Sequence, residues 1–414
     1  MKQYLFILLT ALVLFSCKED TNPVFVDPPN PFAQAAIAWP SLQNAPWPMY
    51  RHDPQLTGRS QYAGPTKGII ADTINVIPNS VLYCGITIDK DNNAFIPFDF
   101  RSTENLWSYN LISKTIQWKS TIPQLMVENI NMPTVTSNGN IIFSSRDLCI
   151  ISPNGQVVHQ NNTPFITGFS SNIDKDGNIF FSRVKTKTLY CVTGSGQTLW
   201  TFTDPRIRDD GYHISFSPDG KTLYIPCLSG NSLLALDIAS REVKWSFGTL
   251  PLFSPPIVDN QGNIYFQKST LQNEPVDTFY CLKPDGTVRW LYSFKKVNAI
   301  AVNYYGVEPA TIDKEGNIYL SAPRDTIVSL TNDGKLRWKL PLTAYKGTEQ
   351  LVCDVNGTIY CATWDNHVLA ISKSGSILWS LKLSSSNDTW FASPSLADGK
   401  LIVTGSSNKI YIIE

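Results

Sequence analysis

The chain has 414 residues, with 34 basic against 34 acidic groups and only 16% charged residues in total. Balanced charge with no basic stripe excludes nucleic acid as a partner. A hydrophobic content of 43%, 12% of residues being aromatic, excludes a disordered polymer. At this length two or three domains are the ordinary expectation, but an internal repeat consumes almost all of it.

The chain opens MKQYLFILLTALVLFSCKED, in which the apolar run from Tyr4 to Phe15 has the length of a signal-peptide core and is too short to span a bilayer. LFSC resembles a bacterial lipobox, with Phe15 departing from its commonest form. The resemblance implies a signal peptide over 1–16 and a lipid-modified Cys17 as first mature residue. Lys18-Glu19-Asp20 resembles the lysine-plus-acidic signal by which Bacteroidota display lipoproteins on the outer face of the outer membrane. Surface display is the expectation and a periplasm-facing lipoprotein the alternative, with the lipid as the sole membrane attachment. The Pro- and Asn-rich stretch 17–46 reads as a flexible tether, and 47–414 as the folded domain.

The folded part begins WPMYRHDPQLTGRS, Trp47 to Ser60. His52 beside Arg51 and Asp53 could serve acid–base chemistry, but no nucleophile pattern accompanies it. The segment reads instead as one that packs across the fold and holds the strand after it, TKGIIADTINV (Thr66 to Val76), in place.

A phrase of about forty residues then recurs to the C-terminus. Its copies include IDKDGNIFFSRVKTKTLYCVTGSGQTLWTF from Ile173 and IDKEGNIYLSAPRDTIVSLTNDGKLRWKL from Ile312. Each holds four short runs rich in β-branched and aromatic residues, separated by Asp-Gly or Asn-Gly turn signals. In the copy from Ser170 the predicted strands are Ser170–Asp174, Asn178–Arg183, Thr188–Thr193 and Gln197–Phe202. Trp118, Trp200, Trp245, Trp290, Trp338 and Trp379 close successive units. With His159 in the second place, the separations are 41, 41, 45, 45, 48 and 41 residues. No sustained helical period appears. A strand-based period of this length predicts an all-β, eight-bladed β-propeller of four-stranded antiparallel blades. The tail from Ser393 supplies three strands, and Thr66 to Val76 supplies the fourth and closes the ring. Seven blades is the alternative count. The repeated tryptophans read as packing between blades rather than as a site.

Seven cysteines follow Cys17, an odd number that argues against a disulfide framework. Cys149, Cys191 and Cys281 fall at a third-strand slot held elsewhere by Ala235, Ser329 and Ala370, so buried small hydrophobes are expected. The turns containing Asp89, Asp91 and Asn93, Asp174, Asp176 and Asn178, and Asp313, Glu315 and Asn317 imitate half a calcium loop. They lack its twelfth-position glutamate and its helices, so the side chains are expected to cap their own turns. His159 and His367 have no metal-ligand spacing. No phosphate loop or nucleophile elbow is present. Irregular residues cluster before the first strand of several units: Tyr212 and His213; Tyr304, Tyr305 and Glu308; Glu349; Trp390 and Phe391. Aromatic and acidic groups around a channel mouth are candidate ligand-binding residues, or simply plug the channel. Glu308 with Glu349 is the one carboxylate pair worth testing for glycoside chemistry.

The repeated D-x-D-G-N-I-Y and G-x-x-x-W phrases, with the WPMYRHDPQLTGRS entry segment, resemble the quinoprotein-type, or PQQ-like, β-propeller repeat from about Trp47 to Glu414. That superfamily includes dehydrogenases, BamB-like barrel-assembly lipoproteins and binding proteins. Its dehydrogenases hold the quinone with a vicinal cysteine pair, a stacking tryptophan and calcium ligands; this chain has no Cys-Cys pair. The resemblance therefore implies neither PQQ nor calcium here, and no catalysis. The expectation is a monomeric binding or scaffolding lipoprotein that docks a protein or glycan, with a BamB-like assembly factor and, behind it, a quinoprotein oxidoreductase as the alternatives.

Overall fold

The computed structural model describes residues 30–76, 82, 85–98, 104–122, 132–144, 148–160, 171–183, 186–208, 213–227, 233–248, 254–268, 276–295, 308–322, 326–345, 347–348, 350–383, 393–404 and 409–414. The chain divides into Met1–Pro31 and Phe32–Glu414, and the second unit holds every blade. There are eight four-stranded antiparallel sheets, and no helix among the described residues. Blades 1 to 7 are built from residues 87–120, 134–160, 172–203, 215–247, 257–295, 311–341 and 352–382. Blade 8 joins the three C-terminal strands to Ile70–Asn75, which pairs with Lys409–Ile413. The eight-blade count and the closing strand are thus those the sequence predicts.

In blade 3 the strands are Asn172–Ile173, Ile179–Arg183, Thr188–Val192 and Thr198–Thr203. The first strand is short because only two residues separate the preceding connection from the Asp-capped turn. The second and third strands are buried almost throughout, whereas the fourth alternates exposed and half-buried positions. That gradient, repeated around the ring, places the core in the middle of each blade and between blades.

The aspartates cap their own turns. Asp174 Oδ1 accepts from the backbone N–H of Asp176 and Asn178 at 3.0 and 2.8 Å, and Oδ2 from Asn178 Nδ2 at 2.8 Å. Asp89, Asp259 and Asp313 accept from their own Asn in the same way. These oxygens are occupied holding the hairpin shape.

The tryptophans lock neighbouring blades together. Trp118, Trp245, Trp290 and Trp338 donate their indole N–H to the carbonyls of Pro153, Pro284, Asn332 and Lys373 in the following blade at 2.8–2.9 Å. Each ring lies directly beneath the glycine of that same turn, Gly155, Gly286, Gly334 or Gly375. His159 occupies the same place beneath Gly196. Trp200 meets a turn without glycine and lies under the Arg241 guanidinium, 5.5 Å from its ring centre. In blade 8 the position opposite the bulge belongs to Asp72, which accepts from Tyr109 Oη of blade 1 at 2.8 Å. Burial and that carboxylate push the Tyr109 phenol up to about 12.

Two sequence readings are corrected. The residues opposite the marker are Ser108, Cys191, Ala235, Cys281, Ser329 and Ala370, but in blade 2 it is Ile150 that faces His159. Cys149 sits one residue earlier, opposite Gln160. An imidazole is smaller than an indole, and the residue that faces it is larger than the Ser, Ala or Cys of the other blades. The second correction concerns the tether, which was expected to run to residue 46. From Phe32 onward the chain is packed: Trp39 and Ala45 are buried, and Trp39 Nε1 donates to Ile173 O at 2.8 Å. The described cysteines, Cys149, Cys191, Cys227, Cys281, Cys353 and Cys361, are buried, with no disulfide among them. Burial pushes five of these thiols, at Cys191, Cys227, Cys281, Cys353 and Cys361, up to about 12, which leaves them unreactive.

The interlock can be measured. Gly375 has φ 89° and a Cβ there would stand 2.7 Å from Trp338 Cδ2, whereas Gly399 has φ 67° and nothing within 4 Å. Gly399→Ala should cost about 1–2 kcal/mol, the left-handed penalty alone, and Gly375→Ala a further ~1–3 kcal/mol of overpacking. Urea denaturation of the two variants gives the difference; equal costs would mean that the Trp338 contact is slack.

Candidate functional site

The alternation of antiparallel strands gives the ring two sides. First-to-second and third-to-fourth turns lie on one, the turn side. Second-to-third turns and blade-to-blade connections belong to the other, the connection side. The innermost strand of each blade turns one edge toward the axis, and there the entry segment is found.

Between Trp47 and Ala63 the entry segment touches every blade. Trp47 exchanges both backbone hydrogen bonds with Ile88 at 2.8 and 3.3 Å, and Pro48 O accepts from Val135 N at 2.8 Å. Pro54 O takes Phe216 N at 3.0 Å and Asn172 Nδ2 at 3.0 Å. Gln55 O takes Val258 N at 3.0 Å, Thr57 O takes Ile312 N at 3.3 Å, and Gly58 O takes Cys353 N at 2.9 Å. Ala63 O closes the circuit at Gly399 N, 2.9 Å. Positive φ at Arg51, His52, Leu56 and Gly58 lets the segment turn this tightly.

Its centre, Tyr50-Arg51, is fully buried. Arg51 Nη1 donates to Leu351 O at 2.7 Å and Nε to Leu56 O at 3.3 Å, while Nη2 reaches Ala310 O and, at 3.4 Å, Thr57 O. One guanidinium thereby ties the entries of blades 6 and 7 to the segment. Burial lowers its pKa, and the nearby Glu308 carboxylate works against that. The Tyr50 ring stacks on His213 at 3.6 Å with planes 10° apart, and its Oη accepts from Gln350 Nε2 at 2.9 Å. Burial raises the Tyr50 pKa well above the ordinary phenol value. Burial, and secondarily the Arg51 charge, lower the His213 pKa from 6.5 to about 3, so its imidazole is neutral at physiological pH.

Of the eight candidate ligand-binding residues, His213 is buried in this plug and Glu308 is half-buried beside it. Tyr212, Tyr304, Tyr305, Glu349, Trp390 and Phe391 lie outside the described residues, as does Cys17. The pairing of Glu308 with Glu349 therefore has no geometry here. What the sequence missed is a cavity of about 540 Å³ on the turn side. It is walled by residues 34–45 on one flank and 48–61 on the other, and includes His52, Asp53 and Arg59. His52 Nδ1 stands 3.7 Å from Asp53 Oδ2, and Asp53 accepts from Thr57 N at 3.0 Å and from Thr57 Oγ1. A tryptophan at 39 within a Pro- and Ala-rich stretch is the signal that could have revealed the wall: an indole so placed needs something to pack against.

A sequence profile described as "Outer membrane protein assembly factor BamB" matches residues 277–414, the last two strands of blade 5 and blades 6 to 8. Over that third of the chain the match is consistent with a PQQ-like β-propeller repeat. BamB from Moraxella catarrhalis superposes with a TM-score of 0.61 at 11% identity, over 84% of this chain and 99% of that one. The quinohemoprotein alcohol dehydrogenase of Comamonas testosteroni gives 0.65 at 11% identity, over 92% and 81%. The Dos1 propeller gives 0.64 at 13% identity, over 84% and 95%. At these identities the likeness establishes the fold. No curated protein matches the chain in sequence. Tyr50, Arg51 and His213 occupy the axis with their own buried side chains.

The neutral His213 makes a pH prediction. Its pKa is lower folded than unfolded, so the unfolded chain binds the extra proton, and stability falls as pH drops from about 6.5 toward 3. At ~1.4 kcal/mol per pH unit, the loss between pH 7.5 and 4.5 should be about 2–3 kcal/mol smaller in His213→Phe than in wild type. Urea unfolding at the two pH values measures this; an equal loss in both proteins would place the imidazole in water.

Proposed function

We propose that this protein is a lipid-anchored docking scaffold of the outer membrane that binds a protein partner and performs no chemistry of its own. The observation that carries this reading is the sealed axis: the buried entry segment turns an eight-bladed ring into a closed disc, which can work only through its two sides and its rim. The fold is compatible with such a role, and the BamB-type profile over residues 277–414 favours a protein as the partner. The rim supports that choice. Val288, Leu291, Leu336, Ile377 and Leu378, on the outermost strands of the successive blades 5, 6 and 7, are all more than a third exposed. Apolar side chains recurring on neighbouring blades suit protein contact better than sugar.

Cys17 is assigned as the lipid attachment and Lys18-Glu19-Asp20 as the signal for display on the outer face. Cys17→Ala should move the protein from the membrane fraction to the soluble one. Protease shaving of whole cells should remove the wild type but spare a variant carrying Lys18→Ala, Glu19→Ala and Asp20→Ala. Protection of both would overturn surface display and favour a BamB-like, periplasm-facing role; membrane retention of Cys17→Ala would overturn the anchor.

A further inference from the structure

A ring of blades can open without a break in the chain only where the two ends of the chain meet. In this disc that place is blade 8. Blades 1 to 7 each take their four strands from one continuous stretch, so their outermost strands stay joined to the blade through a third-to-fourth turn. The outermost strand of blade 8, Ile70–Asn75, has no such turn and is held to Lys409–Ile413 by pairing. The pairing covers five residue pairs and is interrupted by a bulge between Ile70 and Asp72. Ile69 and Glu414 extend it by exchanging both backbone hydrogen bonds at 2.9 Å. Of the six residues in the closing strand, Ile74 alone is buried.

The locks that join other blades are incomplete on both sides of blade 8. Trp379 packs its ring beneath Gly68, but its Nε1 is shielded from solvent and has no hydrogen-bond partner among the described residues. Trp118, Trp245, Trp290 and Trp338 give that proton to a carbonyl in the third-to-fourth turn of the next blade, and blade 8 has no such turn. An indole N–H left in this state costs free energy. On the other side Asp72 takes the marker's place and meets blade 1 through the hydrogen bond from Tyr109 Oη at 2.8 Å, with Lys114 Nζ donating to Ala71 O at 3.3 Å nearby.

The root of the closing strand is better fastened than the strand. Gly64 N donates to Asp354 Oδ2 at 3.0 Å, Pro65 O accepts from Tyr360 Oη at 3.2 Å, and Ala63 O accepts from Gly399 N at 2.9 Å. A strand so rooted can leave its partner and return to it without being lost to solvent.

We propose that the seam is a latch: the closing strand Ile70–Asn75 releases from Lys409–Ile413 as a unit while the entry segment and blades 1 to 7 stay folded. Release opens the ring and uncovers the outer edge of Lys409–Ile413, whose Ile410, Tyr411, Ile412 and Ile413 are buried in the closed state. The latch does not depend on the docking reading.

Hydrogen exchange of the full mature chain, made soluble by Cys17→Ser, tests it at the amides of Ile69 and Glu414, which are bonded across the seam. They should exchange at least about a hundredfold faster than amides in the central strands of blades 4 to 6. Asp72→Ala should speed them about tenfold further, through the loss of one hydrogen bond to a charged group, and leave the blade centres unchanged. Fraying of the strand end would also give fast exchange at Ile69, and a disulfide separates the two. Asn75 and Lys409 stand directly opposite each other at the far end of the ladder, both exposed, so Asn75→Cys with Lys409→Cys can be bridged. The bridge blocks release but not fraying at Ile69, and should slow both reporter amides at least about tenfold. Exchange of Ile69 and Glu414 only with global unfolding, or fast exchange unchanged by the bridge or by Asp72→Ala, would each overturn the proposal.

Discussion

The structure depends on the backbone hydrogen bonds that residues 47–63 make along the axis. Each blade begins with a first strand of two or three residues, too short to hold position by its own ladder. Its second edge faces the centre of the ring, where an unmade buried hydrogen bond would cost about 1–3 kcal/mol. One extended segment supplies the missing partners in turn, from Ile88 to Gly399. Arg51 completes it, because a buried guanidinium surrounded by carbonyls is tolerable only where those carbonyls converge from several parts of the chain.

Around the circumference a second constraint operates. The indole-to-carbonyl bond and the ring-on-glycine contact together bind blades 1, 4, 5 and 6 to the blades that follow them. Where the sequence departs from the rule, a compensating change appears: Ile150 opposite His159, Arg241 over Trp200, and Asp72 with Tyr109 at the seam. The seam is where chain ends meet and where the repeat cannot supply a tryptophan. A directional hydrogen bond there replaces packing.

Much of this was legible in the sequence, for physical reasons. A large aromatic at a constant period and an Asp-capped turn with glycine are obligate parts of every blade, so they survive as pattern. The closing strand was legible because Thr66 to Val76 alternates as the missing fourth strand must. The axial path of Tyr50 and Arg51 had no such signature: it follows no period, and three of the segment's left-handed residues, Arg51, His52 and Leu56, are not glycines. Cys149 was misplaced by one residue because it stands ten residues before its marker, as Ser108 and Ala235 do before theirs, whereas blade 2 has the shorter turn that puts the facing residue nine before it. The cavity was hidden because half of its wall, residues 34–45, reads compositionally as a tether, and only the burial of Trp39 reveals it as structure.

Hydrogen exchange at the inner strands tests the central claim most directly. The amides of Phe216, Val258, Ile312 and Cys353 point at the entry segment and away from their own blades. If that segment seals the axis, they should exchange only with global unfolding, as slowly as the central strands of the blades. Exchange of these amides within seconds, with the second and third strands still protected, would show an open channel and contradict the account.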